Sequence, residues 1–413
     1  MTKMTNVPET SSPAWDTLEA FARAQVQGFI QQLLEDEVDE LLGRKKSERR
    51  AALDAPRGSR NGHGKPRRLA LMNGTIRVRR PRVRDVEERF VSRLLPLFRR
   101  RTPEVGALLP ALYLHGLALG DFELALRGLL GEAAPLSASS LVRLKATWQA
   151  QYAAWQQRDL SDCPLVYLWA DGVYVKAGLE DTKAALLVLI GAGADGRKVI
   201  LAVESGQRES TESWATVLRD LKARGLRAPK LTIADGHLGI WSALATVYPA
   251  SAEQRCWNHK LRNVLDAVPK RRQAEVKAAL QEIASADTAR AATTRRDTFA
   301  RTYRRQFPKA VERLERDWER LVAYYAFPQE HWRHLRTTNV IESPFAAVRL
   351  RTTAAKRFKK VENATALIWK TLLVVEQHFR KLNAPHLCQA VHDGTVYRDG
   401  QRAITVTRRL RAA

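Results

Sequence analysis

Three carboxylates in this chain stand where they could hold divalent cations: Asp171 in YLWADGVYV, Asp235 in LTIADGHLG and Glu342 in RTTNVIESPF. Each Asp closes a short apolar run and is followed by a glycine, Gly172 or Gly236. Ligands gather at strand ends in α/β sheets, and glycine there lets the backbone turn with no side chain in the way. Taken singly, an Asp before Gly also reads as a turn former. Glu342 has a structural alternative too. With Asn339 as N-cap it falls at the capping-box position three residues on, just ahead of a helix that Pro344 starts. Two Asp on neighbouring strands and one Glu on a following helix could together hold two Mg²⁺ or Mn²⁺ ions, hard cations that prefer carboxylate oxygen. Such ions sit about 3.5–4 Å apart and stabilise the attacking and leaving oxygens of in-line phosphoryl displacement.

The elements that must position these groups begin at Pro164. The runs 165–170, 184–191 and 198–203 read as three consecutive strands. A helix over 212–225, a strand over 231–234, a helix over 238–247 and a short strand within 251–256 follow. This is an α/β layer architecture, assigned to 161–259 and resumed over 336–382. Residues 260–327 are helical in pattern and highly charged, with no strand candidate, so 260–335 reads as an all-helical insertion. Helices are expected over 343–350 and 364–382, and 383–413 reads as a basic C-terminal tail.

Composition names the partner class. Lys plus Arg number 69 against 44 Asp plus Glu, a net charge of +25, far beyond what folding requires and attractive to polyanions such as DNA. No apolar run approaches the roughly 18 residues needed to span a bilayer; the longest covers 184–194. The opening MTKMTNVPETSSPAW lacks the apolar stretch of a signal peptide, so a cytoplasmic, nucleoid-associated bacterial protein is expected. Cys163, Cys256 and Cys388 are too few and too scattered for a disulfide framework.

Residues 1–45 carry one or two amphipathic helices between Trp15 and Leu42, interrupted by the acids Glu35, Asp36, Glu37, Asp39 and Glu40. These acids are either a solvated face or part of a dimerising helix. The sign of charge then reverses: 20 Lys plus Arg face 5 Asp plus Glu between Gly43 and Arg101. Region 46–160 therefore reads as DNA-binding. Its run 69–83, with Asn73-Gly74 at the middle, is expected to form a hairpin carrying Arg77, Arg79, Arg80, Arg82 and Arg84, whose guanidinium forks suit phosphate oxygens. Short helices over 103–156 allow a helix-turn-helix with 137–150 as reader, or an ordinary helical bundle. Beyond Glu342, the cations Arg349, Arg351, Lys356, Arg357, Lys359 and Lys360 could hold a phosphate backbone near the metals.

Other groups compete for roles. His237 follows Asp235 but reads as a helix-start residue. Glu180, Asp181, Asp195 and Glu204 are further carboxylates near the sheet, read as solvated turns. Cys256 and His259 share their spacing with His331 and His334, which invites a zinc reading, although the gap between the pairs is far longer than in usual zinc modules.

The segments YLWADGVYVKAG, ESTESW, LTIADGHLGIW, QRCWNHKLRNVLDAVPK and YYAFPQEHWRHLRTTNVIES, in that order, resemble the Mutator-type transposase family of bacterial insertion sequences. SRNGHGKPRRLALMNGTIRVRRPRVRD and LYLHGLALGDFELALRGLLG are similar to its N-terminal half, so the resemblance runs from about residue 30 to 400. It implies a ribonuclease H-like domain interrupted by a helical insertion, with Asp171, Asp235 and Glu342 as a metal-binding triad. Cys256 and His259 match the family's Cys-x-x-His signature and are expected to brace the site. Implied too are two Mg²⁺ or Mn²⁺ ions, DNA ends with inverted repeats, strand cleavage and transfer, and a homodimer or larger synaptic assembly. After the Glu the family often carries a polar residue where this chain has Pro344-Phe345-Ala346.

Overall fold

One unbroken helix, α1 (Pro13–Leu42), forms where the sequence allowed one or two. The computed structural model describes residues 13–50, 52, 55–95, 100–117, 121–130, 138–177, 183–206, 209–236, 238–355 and 357–403. The chain divides into two units, Met1–Leu144 and Lys145–Ala413.

In the first unit α1 is followed by β1 (Ser59–His63), β2 (Arg67–Leu71), β3 (Gly74–Val78), β4 (Pro81–Arg84), α2 (Pro103–Leu114) and α3 (Phe122–Leu130). The β2–β3 hairpin turns at Asn73 as expected, with Gly74 at φ +118°. It stops at Val78, however. Pro81 has no N–H with which to extend a ladder and starts β4, which pairs with β1. Arg77 therefore lies on the hairpin, Arg79 and Arg80 in the link, and Arg82 and Arg84 on a separate ribbon. Ile76 and Val78 turn inward onto Leu34, Leu69 and Leu95, and the alternation leaves Arg77 and Arg79 exposed. Gln27 and Gln31 of α1 close the open edge beyond β3: Arg77 N and Arg79 N each donate to a glutamine Oε1 at 2.9 Å. The acidic face of α1 is only partly solvated, since Glu35 pairs with Arg60 at 2.8 Å and with His63, and Asp39 pairs with Arg60.

Helix α4 (Ala138–Gln156) spans the division between the units. Its C-terminal half belongs to the second core, where the Tyr152 hydroxyl donates to Val203 O at 2.6 Å and its ring meets Trp369.

The second unit is built on β5 (Leu165–Lys176), β6 (Lys183–Gly193), β7 (Lys198–Gly206), β8 (Leu231–Ala234) and β9 (Ala252–Arg255), in the spatial order β7-β6-β5-β8-β9. The first three form an antiparallel meander, and β8 and β9 add in parallel beside β5. Mixed α/β architecture is thus as expected. Helices α5 (Thr211–Ala223) and α6 (Leu238–Val247) cover one face through Trp214, Leu218, Leu221, Trp241 and Leu244, packed on Leu168, Leu187 and Leu189. Burial on both faces explains why these strands read as continuous apolar runs.

After β9 come α7 (Trp257–Leu265), α8 (Gln273–Ala284), α9 (Ala289–Tyr303), α10 (Pro308–Glu315), α11 (Trp318–Val322) and α12 (Trp332–Leu335), with no strand among these described residues. Then follow α13 (Asn339–Glu342), α14 (Phe345–Ala355), α15 (Val361–Glu376), α16 (His386–His392), β10 (Tyr397–Arg398) and β11 (Gln401–Arg402). Much of the expected basic tail is therefore folded: α16 packs against β5, Tyr397 is buried, and Gly400 N donates to Tyr325 O at 3.2 Å. No described helix is long and apolar enough to cross a membrane.

Candidate active site

Strand β5 does not end at Asp171. It runs on through Gly172 to Lys176, paired with β6 throughout. What ends is its parallel ladder with β8, whose last rung is Ala170↔Ala234. Asp171 and Asp235 each follow that rung, on strands that in any sheet run about 4.8 Å apart. Gly172 accordingly makes no turn. It is bare because the carboxylate of Glu209, the residue before the α5 cap Ser210, lies where its Cβ would stand. Gly236 does turn, at φ +102°, and the Arg255 side chain fills the space a Cβ would need. Arg255 Nε then donates to Asp235 O at 3.3 Å, holding this second corner.

Glu342 closes the one-turn helix α13, which packs against β5 and β6. The capping box that was its structural alternative does not form. Thr338, not Asn339, is the N-cap residue, and its backbone N–H donates to Cys256 Sγ at 3.3 Å. The Glu342 side chain instead accepts from the Thr338 hydroxyl, Oγ1 to Oε1, at 2.5 Å. Freed from a capping role, Glu342 reaches Asp171 electrostatically. The Asp171 carboxyl is raised to about 7, first by burial and then by the negative charges of Asp235, Glu209 and Glu342. Its Oδ1 accepts from Gly172 N at 2.8 Å, which acts in the opposite direction. Carboxylates crowded in this way repel unless a proton or cation lies among them, and an all-oxygen donor set suits hard divalent ions.

Glu209 is the site residue that the sequence did not single out. It is buried and accepts a hydrogen bond from Tyr174, whose phenol is pushed up to about 12 by burial and by this partner. The available signal was its place in ESTESW, directly before the cap of α5.

Cys256 and His259 stand beside Glu342, their ligand atoms and its carboxylate all within 4.8 Å of one another. His259 Nδ1 is 3.8 Å from Glu342 Oε1. Burial pushes the Cys256 thiol up and the His259 imidazole down. Asp317 of the helical block pairs with Arg255 and, at 2.6 Å, with the buried Lys260, bracing both ends of this segment. His331 and His334 do not join it. His331 Nδ1 meets the Tyr167 hydroxyl at 2.8 Å, and His334 Nε2 accepts from Asn383 N at 3.4 Å. The four-residue zinc grouping is therefore not assembled, because the second pair is spent on anchoring β5 and the segment after α15.

Among the competing carboxylates, Asp195 accepts from Arg197 N at 3.0 Å in the β6–β7 turn, and Glu204 accepts from Gln156 at 2.7 Å. Glu180, Asp181 and His237, like Lys356 of the basic set, lie outside the described residues.

Of the cations after Glu342, Arg349 and Arg357 are exposed, as are Lys359 and Lys360. Arg351 is not: at 1% exposure it lies within the fold and is withdrawn from the candidate backbone contacts. The helix expected over 343–350 is α14, Phe345–Ala355, and Glu342 ends the separate α13 just ahead of it.

In the first unit, Lys65, Arg67, Arg80, Arg82, Arg89 and Arg100 line an open cavity of about 540 Å³ with no acidic side chain among its walls. Burial and the neighbouring Arg89 and Arg67 lower the Arg80 guanidinium from its ordinary value.

Asp171 and Asp235 at the edge of a mixed α/β sheet, in a chain of net charge +25, define a basic α/β protein with an acidic candidate site. The chain belongs to the Mutator family of transposases: the family model "Transposase, Mutator family" matches residues 3–381. It is 46% identical over 297 residues to the transposase for insertion sequence element IS6120 of Mycolicibacterium smegmatis, covering 72% of this chain and 92% of that protein. It is 45% identical over 278 residues to the transposase for insertion sequence element IST2 of Acidithiobacillus ferrooxidans, covering 67% and 94%. The transposase for insertion sequence element ISRM5 of Rhizobium meliloti is 30% identical over 359 residues, covering 86% and 87%. A transposase role follows from this membership.

Proposed function

We propose that this protein binds the inverted-repeat ends of an insertion sequence and carries out DNA strand cleavage and strand transfer at Asp171, Asp235 and Glu342. The observation that carries the reading is that Asp171 and Asp235 directly follow the same last rung of the β5–β8 ladder, with the charge of the distant Glu342 acting on the buried Asp171 carboxyl. A meander of three antiparallel strands followed by two parallel ones supports a ribonuclease H-like sheet, with α7 to α12 as its insertion.

Two Mg²⁺ or Mn²⁺ ions fit this all-carboxylate donor set and would supply charge neutralisation at the attacking and leaving oxygens of an in-line displacement. The residues' own work is positioning. Asp171 on β5 and Asp235 directly after β8 follow the same rung, the charge of Glu342 on α13 acts on Asp171, Arg255 holds the Gly236 corner and Glu209 lies against Gly172. No covalent protein intermediate is required, because the nucleophile is water or a DNA 3′-OH held by proximity. The basic cavity of the first unit and exposed Arg77, Arg79, Arg82, Arg84, Arg349 and Arg357 supply phosphate contacts. Two ends must be handled together, which calls for a homodimer or larger assembly.

The test is incubation with Mg²⁺ and DNA bearing the element's own ends. Cleavage and joining are expected. Binding with no cleavage at any metal concentration would favour a DNA-binding derivative of such an enzyme, and cleavage with no joining a nuclease.

A further inference from the structure

Glu342 sits on a helix of four residues, too short to hold itself, and is separated from Asp235 by the entire helical block α7 to α12. Something other than α13 must set its distance from the aspartates. A continuous chain of hydrogen bonds does so. Cys256 N donates to Ala234 O at 2.8 Å, fastening Cys256 to the residue that precedes Asp235. Trp257 N donates to Arg336 O at 2.9 Å, and Asn258 Nδ2 to Asn339 Oδ1 at 3.1 Å. Between these two links stands Thr338, fully buried. Its N–H reaches Cys256 Sγ at 3.3 Å. Its hydroxyl lies 3.2 Å from the same sulfur, 3.4 Å from His259 Nδ1 and 2.5 Å from Glu342 Oε1.

We infer that Thr338 is a positioning residue whose hydroxyl, seated against Cys256 and His259, fixes Glu342 to the strand end that carries Asp235. A hydroxyl has one proton and two lone pairs. The shortest of its contacts is the one to the carboxylate, as a charge-assisted bond should be, so the proton goes to Oε1. The lone pairs are left for the Cys256 thiol and a His259 N–H. Held by one oxygen, the carboxylate keeps a single orientation. The Cys-x-x-His segment thereby acts as the strut between the second aspartate and the glutamate. The Thr338 hydroxyl also occupies the space among Cys256, His259 and Glu342, which makes the cluster a hydrogen-bonded brace.

The inference rests on the carboxylate reading above, and the test separates the two. The full-length protein is compared with Thr338→Val, which keeps the shape and loses the hydroxyl, with Thr338→Ser, which keeps the hydroxyl, and with Glu342→Gln. Three quantities are measured: end-DNA affinity, single-turnover cleavage across Mn²⁺ concentrations, and the rise in melting temperature that Mn²⁺ produces without DNA. Thr338→Val is expected to bind DNA normally, to cleave about 10–100-fold more slowly at limiting Mn²⁺, and to lose most of the Mn²⁺-induced stabilisation. Thr338→Ser should restore both. Wild-type metal dependence in Thr338→Val, or equal impairment in Thr338→Ser, overturns the positioning role. Should Thr338→Val not fold, Cys256→Ala takes its place: it must weaken the Mn²⁺ response while Thr338→Ser retains it, and the reverse overturns the inference. An inactive Glu342→Gln beside a fully wild-type Thr338→Val removes the positioning role alone. A fully active Glu342→Gln removes the reading beneath it as well.

Discussion

Asp171 and Asp235 are the next residues after Ala170 and Ala234, the last rung of the parallel ladder between β5 and β8. Their side-by-side placement follows from strand register and needs no loop to be ordered. Register is a strongly specified quantity in a sheet buried on both faces, so the two carboxyls are held before any cation or substrate arrives.

Burial of Asp171, with negative charges beside it, has a pH signature. In the unfolded chain Asp171 ionises near its ordinary value, whereas in the folded, metal-free protein it keeps its proton to about 7. Between about pH 4 and 7 the folded state therefore binds more protons, and stability falls as pH rises, by at most about 4 kcal/mol. Asp171→Asn removes this loss. In chelator, the variant should resist urea better than wild type at pH 8 and match it near pH 4. Saturating Mg²⁺ should reverse the order at pH 8, because the cation stabilises only the intact site. An Asp171→Asn gain that is the same at both pH values would contradict this.

Glu209 adds a negative charge beside Asp171 and fills the space left by Gly172. Removing that charge with Glu209→Gln should draw the Asp171 carboxyl down, moving the midpoint of the pH-dependent stability loss to more acid pH. Gly172→Ala must displace the same carboxylate, and both variants are expected to slow cleavage by about tenfold or more while leaving DNA affinity intact. A midpoint that stays in place in Glu209→Gln would show that Glu209 is electrically silent.

The cavity lined by Arg67, Arg82 and four other cations should act on binding alone. Arg67→Glu and Arg82→Glu are each expected to weaken duplex binding about uniformly across sequences and to reduce the salt slope of log affinity by about 1. Cleavage of DNA already bound should be unchanged. Filter binding or anisotropy at several salt concentrations checks this, and an unaltered slope would remove the cavity from the interface.

How far the sequence reached differs by element. The limits of β8 and α6 were legible to the residue, because a four-residue apolar run between Lys230 and Asp235, and a mostly apolar ten-residue run ending at Val247, have one reading each. The continuation of β5 past Asp171 was not, since Asp-Gly imitates a turn and only pairing with β6 keeps the strand going. Arg351 read as a phosphate contact because a charged residue in a basic stretch is usually exposed, yet tertiary packing buries it. The capping alternative for Glu342 was a sound local reading. It was defeated because the helix starts one residue earlier, with Thr338 as N-cap, which puts Ile341 rather than Glu342 at the capping-box position. Glu209 was hidden because its neighbour in space, Gly172, is remote in sequence.

The central claim is that Asp171, Asp235 and Glu342 together perform the strand chemistry. The measurement is single-turnover cleavage and joining of end DNA in Mg²⁺ by Asp171→Asn, Asp235→Asn and Glu342→Gln, each first shown to bind DNA as wild type does. Loss of several kcal/mol of transition-state stabilisation, about a thousandfold or more in rate, is expected for each. Cleavage and joining within a few-fold of wild type in any one of the three would contradict the assignment.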